Sequence, residues 1–372
     1  MVADKKPMEE IGKAGIARVL IMAGGTGGHV FPALAAARYL EKQGATVQWL
    51  GTRAGIESRV VPEAGIAIHY LDVAGVRGQG VVRLLKAPFK ILRAVLSVMG
   101  ILRKFRPDFV LGLGGFVTGP GGVAARLAGT PLFIHEQNAI PGFTNRMLSK
   151  ISSRTFQAFP NAFSENVRAV TTGNPVRAEI AAIADPELRW QGRTGPIRLL
   201  VVGGSQGAVA LNQLLPRAFP LLAHQDFEIF HQAGQHNAEA TEMLYREAGV
   251  QATVVPFIND MAERYAWADF VICRSGALTV SEIAAVGIGA LLIPYPFAVD
   301  DHQTKNAEFL VNGHAAHLAQ QNVLTPALLA ELITKHFSSR AALKTMAIAS
   351  RKLAKPEATQ ELIDACKEAL RG

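Results

Sequence analysis

Three glycine-rich segments, each placed directly after a short apolar run, constrain this chain more than any other feature. They lie at residues 24–28, 112–122 and 203–207. An apolar run that ends in glycines and leads into an Ala- and Leu-rich stretch is typical of a strand–loop–helix unit in a parallel sheet. Glycine lets a ligand approach the backbone, and a helix that begins there presents N–H groups that suit phosphate. We therefore predict a nucleotide or diphosphate site, although one such loop alone could be a tight turn without a ligand.

The alternation of strand-like and helix-like segments occurs twice along the chain. It predicts an α/β protein with two Rossmann-like, doubly wound parallel-sheet domains and a cleft between them. We expect an N-terminal domain at residues 1–177 and a C-terminal domain at residues 178–354. A last helix, at about 355–372, is expected to pack back on the first domain. The proline- and charge-rich residues 175–196 interrupt the pattern and predict a linker.

The balance of charge favours an anionic partner. The 372 residues carry a formal net charge of +8, with a pI near 9.6. Nucleic acid, an anionic lipid surface or a phosphorylated substrate would each suit that excess. The two cysteines, Cys273 and Cys366, define no disulfide framework and fit a reducing compartment. No apolar run approaches the roughly 20 residues of a membrane-spanning helix.

The glycine loops depart from two well-known nucleotide fingerprints. The first loop contains Gly25-x-Gly27 but has Val30 where a dinucleotide-binding loop has its third glycine, and no acidic residue ends the second strand. No lysine follows the loops as in a P-loop. No Asp-x-Asp occurs, and Asp300 and Asp301, which could hold a metal, are better explained as a solvated pair. We therefore expect neither a cofactor nor a metal.

Seven segments carry a family resemblance from about residue 18 to the last helix. In order they read GGTGGHVFP, GGFVTGP, HEQNAIPG, GNPVR, GGSQGA, SGALTVSE and DDHQTKNA. The set resembles glycosyltransferase family 28, the GT-B enzymes that complete the lipid-linked disaccharide of peptidoglycan in cell-wall biogenesis. The resemblance implies an inverting, metal-independent transfer of N-acetylglucosamine from UDP-N-acetylglucosamine to the 4-hydroxyl of lipid-diphosphate-linked N-acetylmuramoyl-pentapeptide. It also implies a peripheral protein on the cytoplasmic face of the inner membrane.

Two other functions remain open at this point. The first is a GT-B enzyme of other nucleotide-sugar specificity, such as an epimerase or a lipid-disaccharide synthase. The second is a nucleotide-sugar-binding protein that does not turn over. The GTGGH and HEQN segments count against the first, and the presence of both His29 and Glu136 counts against the second.

His29 ends the first glycine loop and is the candidate general base. An imidazole with an unperturbed pKa of about 6.5 can take a proton from an acceptor hydroxyl at neutral pH. The alternative for His29 is a capping or phosphate-binding role, and Glu136 is the rival base. We expect the first two glycine loops to bind the diphosphate of the acceptor. The acceptor-diphosphate residues are expected to be Gly25, Gly114, Gly115 and Thr118.

The resemblance also assigns the donor site residue by residue. The expected donor-binding residues are Thr26, Gly27, Gly28, Asn138, Arg177, Ser205, Gln206, Ile258, Ala277, Leu278, Thr279, Val280, Ser281, Glu282 and Gln303. Ser205 would bind the α-phosphate side, and the backbone at Ile258 would read uracil. Glu282 would accept hydrogen bonds from the ribose hydroxyls, and Gln303 would bond hydroxyls of the donor sugar. A helix-surface glutamate and a core isoleucine are the structural alternatives for Glu282 and Ile258.

Residues 83–106 predict a basic amphipathic helix. The segment contains seven Arg and Lys residues and no Asp or Glu. Basic residues at helical spacing predict one stripe, and apolar residues at the same spacing predict a second stripe on the opposite side. The basic stripe is Arg83, Lys86, Lys90 and Arg93, and the apolar stripe is Leu85, Phe89, Leu92, Leu96 and Met99. We predict that this helix binds anionic lipid through Lys86, Phe89, Lys90 and Arg93, while part of the apolar stripe covers the sheet. Without an aromatic stacking platform, nucleic acid is not expected as a partner.

Overall fold

The chain forms two compact α/β units. A computed structural model describes residues 17–73, 81–204, 207–222 and 226–371, with the backbone only at 81–87. Unit 1 comprises the chain up to Arg177 together with the segment from Glu357 onward. Unit 2 is Ala178–Pro356. Each unit is a parallel sheet covered by helices, the fold class of GT-B glycosyltransferases.

Unit 1 contains a 7-stranded parallel sheet in the order β3-β2-β1-β4-β5-β6-β7. The strands are β1 (Arg18–Ala23), β2 (Thr46–Gly51), β3 (Ala67–Tyr70), β4 (Phe109–Gly114), β5 (Leu132–Glu136), β6 (Arg154–Gln157) and β7 (Val170–Thr171). The helices are α1 (Gly27–Lys42), α2 (Glu57–Glu63), α3 (Val81–Phe105), α4 (Thr118–Ala128), α5 (Phe143–Leu148), a 3₁₀ turn at Glu165–Val167 and the last helix of the chain, Ala358–Arg371.

Strand β1 lies inside the sheet of unit 1, between β2 and β4, and is apolar from Val19 to Ala23. Successive side chains of a strand point to opposite faces of the sheet, and both faces here are covered. Val19 and Ile21 join a core with α1 and the last helix, whereas Leu20 and Met22 join a second core with α3 and α4. The last helix contributes its apolar side to the first of these cores through the buried residues Leu362, Ile363, Cys366 and Leu370.

Unit 2 contains a 6-stranded parallel sheet in the order β10-β9-β8-β11-β12-β13. The strands are β8 (Ile197–Val202), β9 (Phe227–Gln232), β10 (Ala252–Val255), β11 (Phe270–Cys273), β12 (Gly289–Leu292) and β13 (Ala316–Leu318). The helices are α6 (Ala178–Ala181), α7 (Pro186–Arg189), α8 (Val209–Ala218), α9 (Ala238–Glu247), α10 (Met261–Trp267), α11 (Ala277–Val286), α12 (His302–Asn312), α13 (Pro326–Phe337) and α14 (Arg340–Lys352), and 3₁₀ turns lie at Phe219–Leu221, Val299–Asp301 and Gln321–Val323. The last helix of the chain, Ala358–Arg371, is α15.

The predicted linker at 175–196 is wrong for most of its length. Residues 178–196 belong to unit 2 and are tied to its core. The guanidinium group of Arg189 donates to the carbonyl oxygens of Val286 (2.8 Å) and Gly287 (2.6 Å) at the end of α11. Arg193 forms an ion pair with the fully buried carboxylate of Asp269. The charges that suggested a solvated linker therefore serve as anchors.

Helix α3 divides the predicted apolar stripe between solvent and the core. Part of the stripe was expected to cover the sheet and Phe89 to meet lipid, and the side chains of Phe89, Leu92 and Leu96 are 78%, 56% and 59% exposed. Of that stripe, Met99 packs on the core and Leu85 lies among the side chains that are not described. The sheet is covered instead by Ala94, Val95, Val98 and Leu102. Pro88 lies inside the helix, which begins at Val81.

None of the helices in the described part of the chain is long and apolar enough to cross a lipid bilayer.

Candidate active site

The first two glycine loops of unit 1 touch each other. A Cβ on Gly115 would lie 2.4 Å from the carbonyl oxygen of Gly24, and a Cβ on Gly114 would lie 2.7 Å from Cδ2 of His29. Gly114 and Gly115 also have positive φ values, +115° and +87°, that other residues rarely adopt. Only glycine fits at these two positions. Because no side chain intervenes there, His29 lies directly against the second loop. The predicted neighbourhood of His29, Gly25, Gly114 and Gly115 is thus one site at the carboxyl edge of the sheet.

Helix α1 begins inside the first loop. Thr26 is its N-cap residue, with an extended backbone, and its side chain makes no capping hydrogen bond. The backbone N–H groups of His29 and Val30 donate to the carbonyl oxygen of Thr26. Gly27 and Gly28 supply the first N–H groups of the helix, which have no acceptor within a helix. Such an N-terminus carries a partial positive charge that suits an anion.

Thr118, expected as an acceptor-diphosphate residue, uses its side chain within the protein. Its side chain is fully buried, and its hydroxyl donates to the carbonyl oxygen of Gly114 at 2.8 Å. The residue therefore holds the second glycine loop from behind. Gly114 and Gly115 keep the expected position at the end of β4.

Glu57 is a buried residue of this site that the sequence analysis missed. Its side chain is fully buried, and one carboxylate oxygen accepts the N–H of Gly25 at 2.9 Å. The other oxygen accepts the N–H of Thr52 at 2.8 Å and its hydroxyl at 2.7 Å. Glu57 thereby ties the first glycine loop to the end of β2. A Cβ on Gly24 or Gly55 would collide with this carboxylate, but the sequence alone gives no indication of that contact.

Glu136, the rival base, is occupied by the loop that follows it. Its carboxylate accepts hydrogen bonds from the backbone and side-chain amides of Asn138, at 2.9 and 3.2 Å. It also accepts from the N–H of Gly142 at 3.1 Å and from Nδ2 of Asn145 at 2.8 Å. The side chain is only 2% exposed. This geometry favours a role in positioning Asn138 over a role as the base.

His135, next to Glu136, is held neutral. Burial lowers the pKa of His135 to about 4. Its Nε2 atom lies 2.9 Å from the carbonyl oxygen of Gly173, and Nε2 of Gln137 lies 3.0 Å from its Nδ1. A proton on the imidazole Nε2 satisfies both bonds. The HEQN segment is therefore fastened to the GNP turn by an uncharged imidazole.

Arg177 lies near the first glycine loop. Its guanidinium carbon is 5.7 Å from the ring centre of Phe31 on α1, and that ring in turn packs against Gly27. The Arg177 side chain thus lies beside the start of α1, and its contact with a phosphate stays a prediction.

The third glycine loop follows β8, the first strand of unit 2. Gly204 and Gly207 have φ values of +81° and +74°, and a Cβ on Gly207 would lie 2.2 Å from the carbonyl oxygen of Ala233. The N–H of Gly207 donates to the carbonyl oxygen of Gly204 at 2.8 Å. Ser205 and Gln206, the expected phosphate contacts, lie outside the described residues.

The N-terminus of α11 provides the backbone amides expected at SGALTVSE. Gly276 is its N-cap, and the first N–H with an acceptor in the helix is that of Val280, which donates to the Gly276 oxygen. The preceding N–H groups, on Ala277, Leu278 and Thr279, point out of the helix end. Ala277 and Val280 are buried and Ser281 donates its hydroxyl to the Ala277 oxygen, so those side chains serve the helix itself.

Glu282 is a buried carboxylate on α11 rather than a helix-surface residue. It is 4% exposed, and Oε2 accepts a hydrogen bond from the hydroxyl of Tyr265 at 3.3 Å. Tyr265 is fully buried on α10. Ile258 lies half-buried in the loop after β10, beside the 48%-exposed Phe257. Both expected donor residues thus lie at the carboxyl edge of the second sheet.

Gln303 has a fixed orientation. Its Oε1 accepts the N–H of Tyr295 at 2.9 Å, which leaves the NH₂ group of the amide as its outward donor. Asp300 and Asp301, the candidate metal pair, are exposed with φ values of +53° and +51°. Asp301 accepts the hydroxyl of Thr304, so it serves the first turn of α12.

The sequence analysis did not identify two further amide side chains that connect segments at the carboxyl edge of the second sheet. Gln232 ends β9 and bonds Gly204 and Pro256. Asn306, inside the DDHQTKNA segment, is fully buried and donates to the carbonyl oxygen of Ser275 at 3.2 Å. A polar residue at the carboxyl end of a strand, as Gln232 is in β9, was the available signal.

Both units therefore place glycine loops, helix N-termini and polar side chains at the carboxyl edge of a parallel sheet, the place where open α/β sheets bind ligands. In unit 2 the expected donor residues lie on or just after the segments that follow β8, β10, β11 and β12. This combination defines the class of GT-B glycosyltransferases.

Comparison with known proteins gives the family. Models of the glycosyltransferase family 28 N-terminal and C-terminal domains match residues 19–157 and 198–362, and the chain belongs to this family. It is 52% identical over 356 residues to the Marinobacter nauticus "UDP-N-acetylglucosamine--N-acetylmuramyl-(pentapeptide) pyrophosphoryl-undecaprenol N-acetylglucosamine transferase", covering 95% of this chain and 98% of that one. A protein of the same name from Azotobacter vinelandii is 52% identical, covering 96% and 99%. The crystal structure of Acinetobacter baumannii MurG is 46% identical with a TM-score of 0.83, covering 95% and 99%.

Proposed function

We propose that this chain transfers N-acetylglucosamine from UDP-N-acetylglucosamine to the 4-hydroxyl of N-acetylmuramoyl-pentapeptide carried on a lipid diphosphate. The observation that carries the proposal is 52% identity, over nearly the full length of both chains, to transferases named for this reaction. The arrangement of both glycine-loop sites supports it, because each substrate of such a reaction carries a diphosphate. An enzyme of other nucleotide-sugar specificity and a binding protein without turnover are the outcomes that the assays below separate.

We assign the acceptor to unit 1 and the nucleotide to unit 2. Gly25, Gly114 and Gly115 bring backbone amides to the acceptor diphosphate, and His29 takes the proton of the acceptor hydroxyl as it attacks the anomeric carbon. Direct attack on that carbon inverts its configuration. The donor contacts in this proposal also include Thr26, Gly27, Gly28, Asn138 and Arg177.

In unit 2 the amides at the start of α11 and the loop at residues 203–207 stabilise the departing diphosphate. Helix N-termini favour negative charge, and amides already held in place need no reorganisation during the reaction. This stabilisation lets the transfer proceed without a metal. Glu282 accepts the ribose hydroxyls, the backbone at Ile258 binds uracil, and the NH₂ group of Gln303 donates to a sugar hydroxyl.

The choice of base is tested with two single variants. Labelled UDP-N-acetylglucosamine and a lipid-diphosphate muramoyl acceptor should give a disaccharide product with the wild-type protein. We expect His29→Ala to lower kcat by about 10² to 10⁴-fold, the usual contribution of a general base, with little change in the affinity for UDP. Glu136→Gln should raise the KM for the donor more than it lowers kcat, because it loosens Asn138. A large kcat loss in Glu136→Gln alone would reverse the assignment.

The metal-free step is tested with a chelator. With excess EDTA the rate should stay close to that without it. A rate that falls with EDTA and returns with magnesium would contradict the role given to the amides of α11. Labelled UDP-N-acetylglucosamine that binds but never yields product would instead support a binding protein.

We further propose that α3 seats the protein on the cytoplasmic face of an anionic membrane. Phe89, Leu92 and Leu96 are exposed, and the exposed Lys90 and Arg93 alternate with them. Helix α4, packed beside α3, adds an exposed Leu127 at 65%. Apolar side chains can insert between headgroups while the cations meet anionic lipid. Lys86, whose side chain is not described, falls in the same part of the sequence.

Vesicle binding tests this surface. Each basic residue near an anionic surface contributes about 1 kcal/mol, so Lys90→Gln with Arg93→Gln should weaken binding by about 2 kcal/mol, or roughly 30-fold. The matched control is Arg103→Gln with Lys104→Gln, on the same helix about 18 Å further along its axis. Sedimentation with anionic and neutral vesicles measures both. Equal losses in both pairs would indicate a general charge effect and would remove the assignment of this surface.

A further inference from the structure

Gln232 lies between the two loops that the proposed donor site uses. It is the last residue of β9, and in the sheet it pairs with Val202 at the end of β8 and with Val255 at the end of β10. The glycine loop follows Val202, and the segment containing Pro256 and Ile258 follows Val255. A side chain at this position can reach both loops, and at 3% exposure it is enclosed by them.

Its amide group is fully used by these loops. Oε1 accepts the N–H of Gly204 at 3.0 Å, and Nε2 donates to the carbonyl oxygen of the same residue at 2.9 Å. The second proton of Nε2 goes to the carbonyl oxygen of Pro256 at 3.1 Å. Gly204 has a positive φ of +81°, an uncommon conformation. The Gln232 side chain bonds both the N–H and the carbonyl oxygen of this residue. A carboxylate of the same shape could accept from Gly204 but could donate to neither carbonyl.

We infer that Gln232 is a positioning residue that fixes the distance between the diphosphate-binding loop and the uracil-binding backbone of the donor site. The inference rests on the proposed function, because it assumes uracil at Ile258 and phosphates at the glycine loop. Gln232 acts through Gly204 and Pro256, two residues before Ile258. Its effect therefore falls on ligands that occupy both loops at once, such as UDP. A ligand held by one loop alone, such as uridine, depends on it much less.

The main test compares the affinity of UDP and of uridine for the full chain by calorimetry. In Gln232→Glu the carboxylate faces two carbonyl oxygens, so the two loops separate or reorient. We expect UDP to bind about 10-fold or more weakly, and uridine to change by less than about 3-fold. The matched control is Gln157→Glu, at the end of β6 in unit 1, which bonds Thr171 and Phe163 and should leave both affinities unchanged. Gln232→Met keeps the length of the side chain and, unlike Gln232→Glu, adds no charge. It should likewise weaken UDP binding more than uridine binding.

The outcomes are distinguishable. UDP affinity that is unchanged in a folded Gln232→Glu protein overturns the inference and leaves the donor site intact. An equal loss for uridine and UDP also overturns it, since the residue would then support only the uracil loop. A wild-type protein that binds no UDP refutes the donor site itself and the proposed function with it.

A measurement on the wild-type protein avoids the question of whether variants fold. Uridine should increase protection from hydrogen exchange at the amides of Phe257 and Ile258 and, through Gln232, at the amide of Gly204, which uridine does not reach. Protection confined to Phe257 and Ile258 would overturn the coupling.

Discussion

Replacing Glu57 with glutamine should loosen the first glycine loop while leaving the shape of the side chain unchanged. The carboxylate accepts three hydrogen bonds, from the N–H of Gly25 and from the N–H and hydroxyl of Thr52. A glutamine amide has one oxygen, so its NH₂ group must face either Gly25 or Thr52. The glutamine NH₂ group, buried at position 57, then faces another donor. Thr52 directly follows β2. The substitution therefore weakens the connection between the first glycine loop and the loop after β2.

The magnitude follows from those three bonds. A hydrogen bond to a charged group contributes about 1.5 to 3 kcal/mol and a neutral one about 1, so losing one and neutralising two costs about 2.5 to 7 kcal/mol. Removing a buried charge returns part of that cost. We expect unit 1 to lose about 2 to 3 kcal/mol of unfolding free energy. For a domain of this size that lowers its Tm by roughly 4 to 12 °C.

Two assays and one control separate the effect of Glu57 from a general loss of stability. Thermal unfolding gives the Tm, and at a temperature where both proteins are folded kcat/KM for the lipid acceptor should fall about 10-fold or more. The affinity for UDP, assigned to unit 2, should change little. Glu63→Gln removes an exposed carboxylate from the same short helix and should be neutral. A Glu57→Gln protein with wild-type Tm and wild-type kcat/KM would refute the role of the carboxylate.

Three further changes have defined outcomes. Gly114→Ala places a Cβ 2.7 Å from the His29 ring at a φ of +115°, so kcat should fall at least about 10-fold while UDP titration calorimetry stays as in the wild type. Tyr265→Phe removes the hydroxyl that holds Glu282, so UDP should bind about 3 to 10-fold more weakly, and its advantage over 2′-deoxy-UDP should shrink; an unchanged advantage would contradict the ribose contact. Burial lowers the pKa of His231 to about 3, below its unfolded value of about 6.5, so the unfolded chain takes up the proton first. The stability it contributes is complete above pH 6.5 and declines below it by up to about 1.4 kcal/mol per pH unit, and thermal unfolding of His231→Gln from pH 7 to 5 should show a shallower decline than the wild type.

The parts of the fold that were predictable are those in which the sequence repeats a local pattern. The run from Val19 to Ala23 reads as a buried strand because both of its faces pack, and the glycines that follow it mark the loop. The linker was wrong because Arg189 and Arg193 carry charges whose partners, the end of α11 and Asp269, are far away in the sequence. Charge alone cannot distinguish a solvated segment from an anchored one.

The same distinction applies to the residues of the candidate site. Positions that depend on backbone, such as Gly114 and the start of α11, follow from glycine spacing. Positions that depend on side-chain partners do not, because Thr118 and Glu136 prove to be occupied by Gly114 and by the loop after β5. The apolar stripe of α3 shows a third case. Helical spacing identified the residues, but it could not tell that Ala94 and Val98, rather than Leu92 and Leu96, face the sheet.

The placement of α15 in unit 1 has a practical consequence for dissecting the protein. Since the chain enters unit 2 at Ala178 and leaves it after Pro356, unit 2 is nested within unit 1 rather than following it. A fragment cut at residue 177 would lose Leu362 and Ile363 and would leave the apolar surface of α1 uncovered in water. To express unit 1 alone in soluble form, residues 178–356 must be removed and residue 177 joined to residue 357 by a short peptide linker.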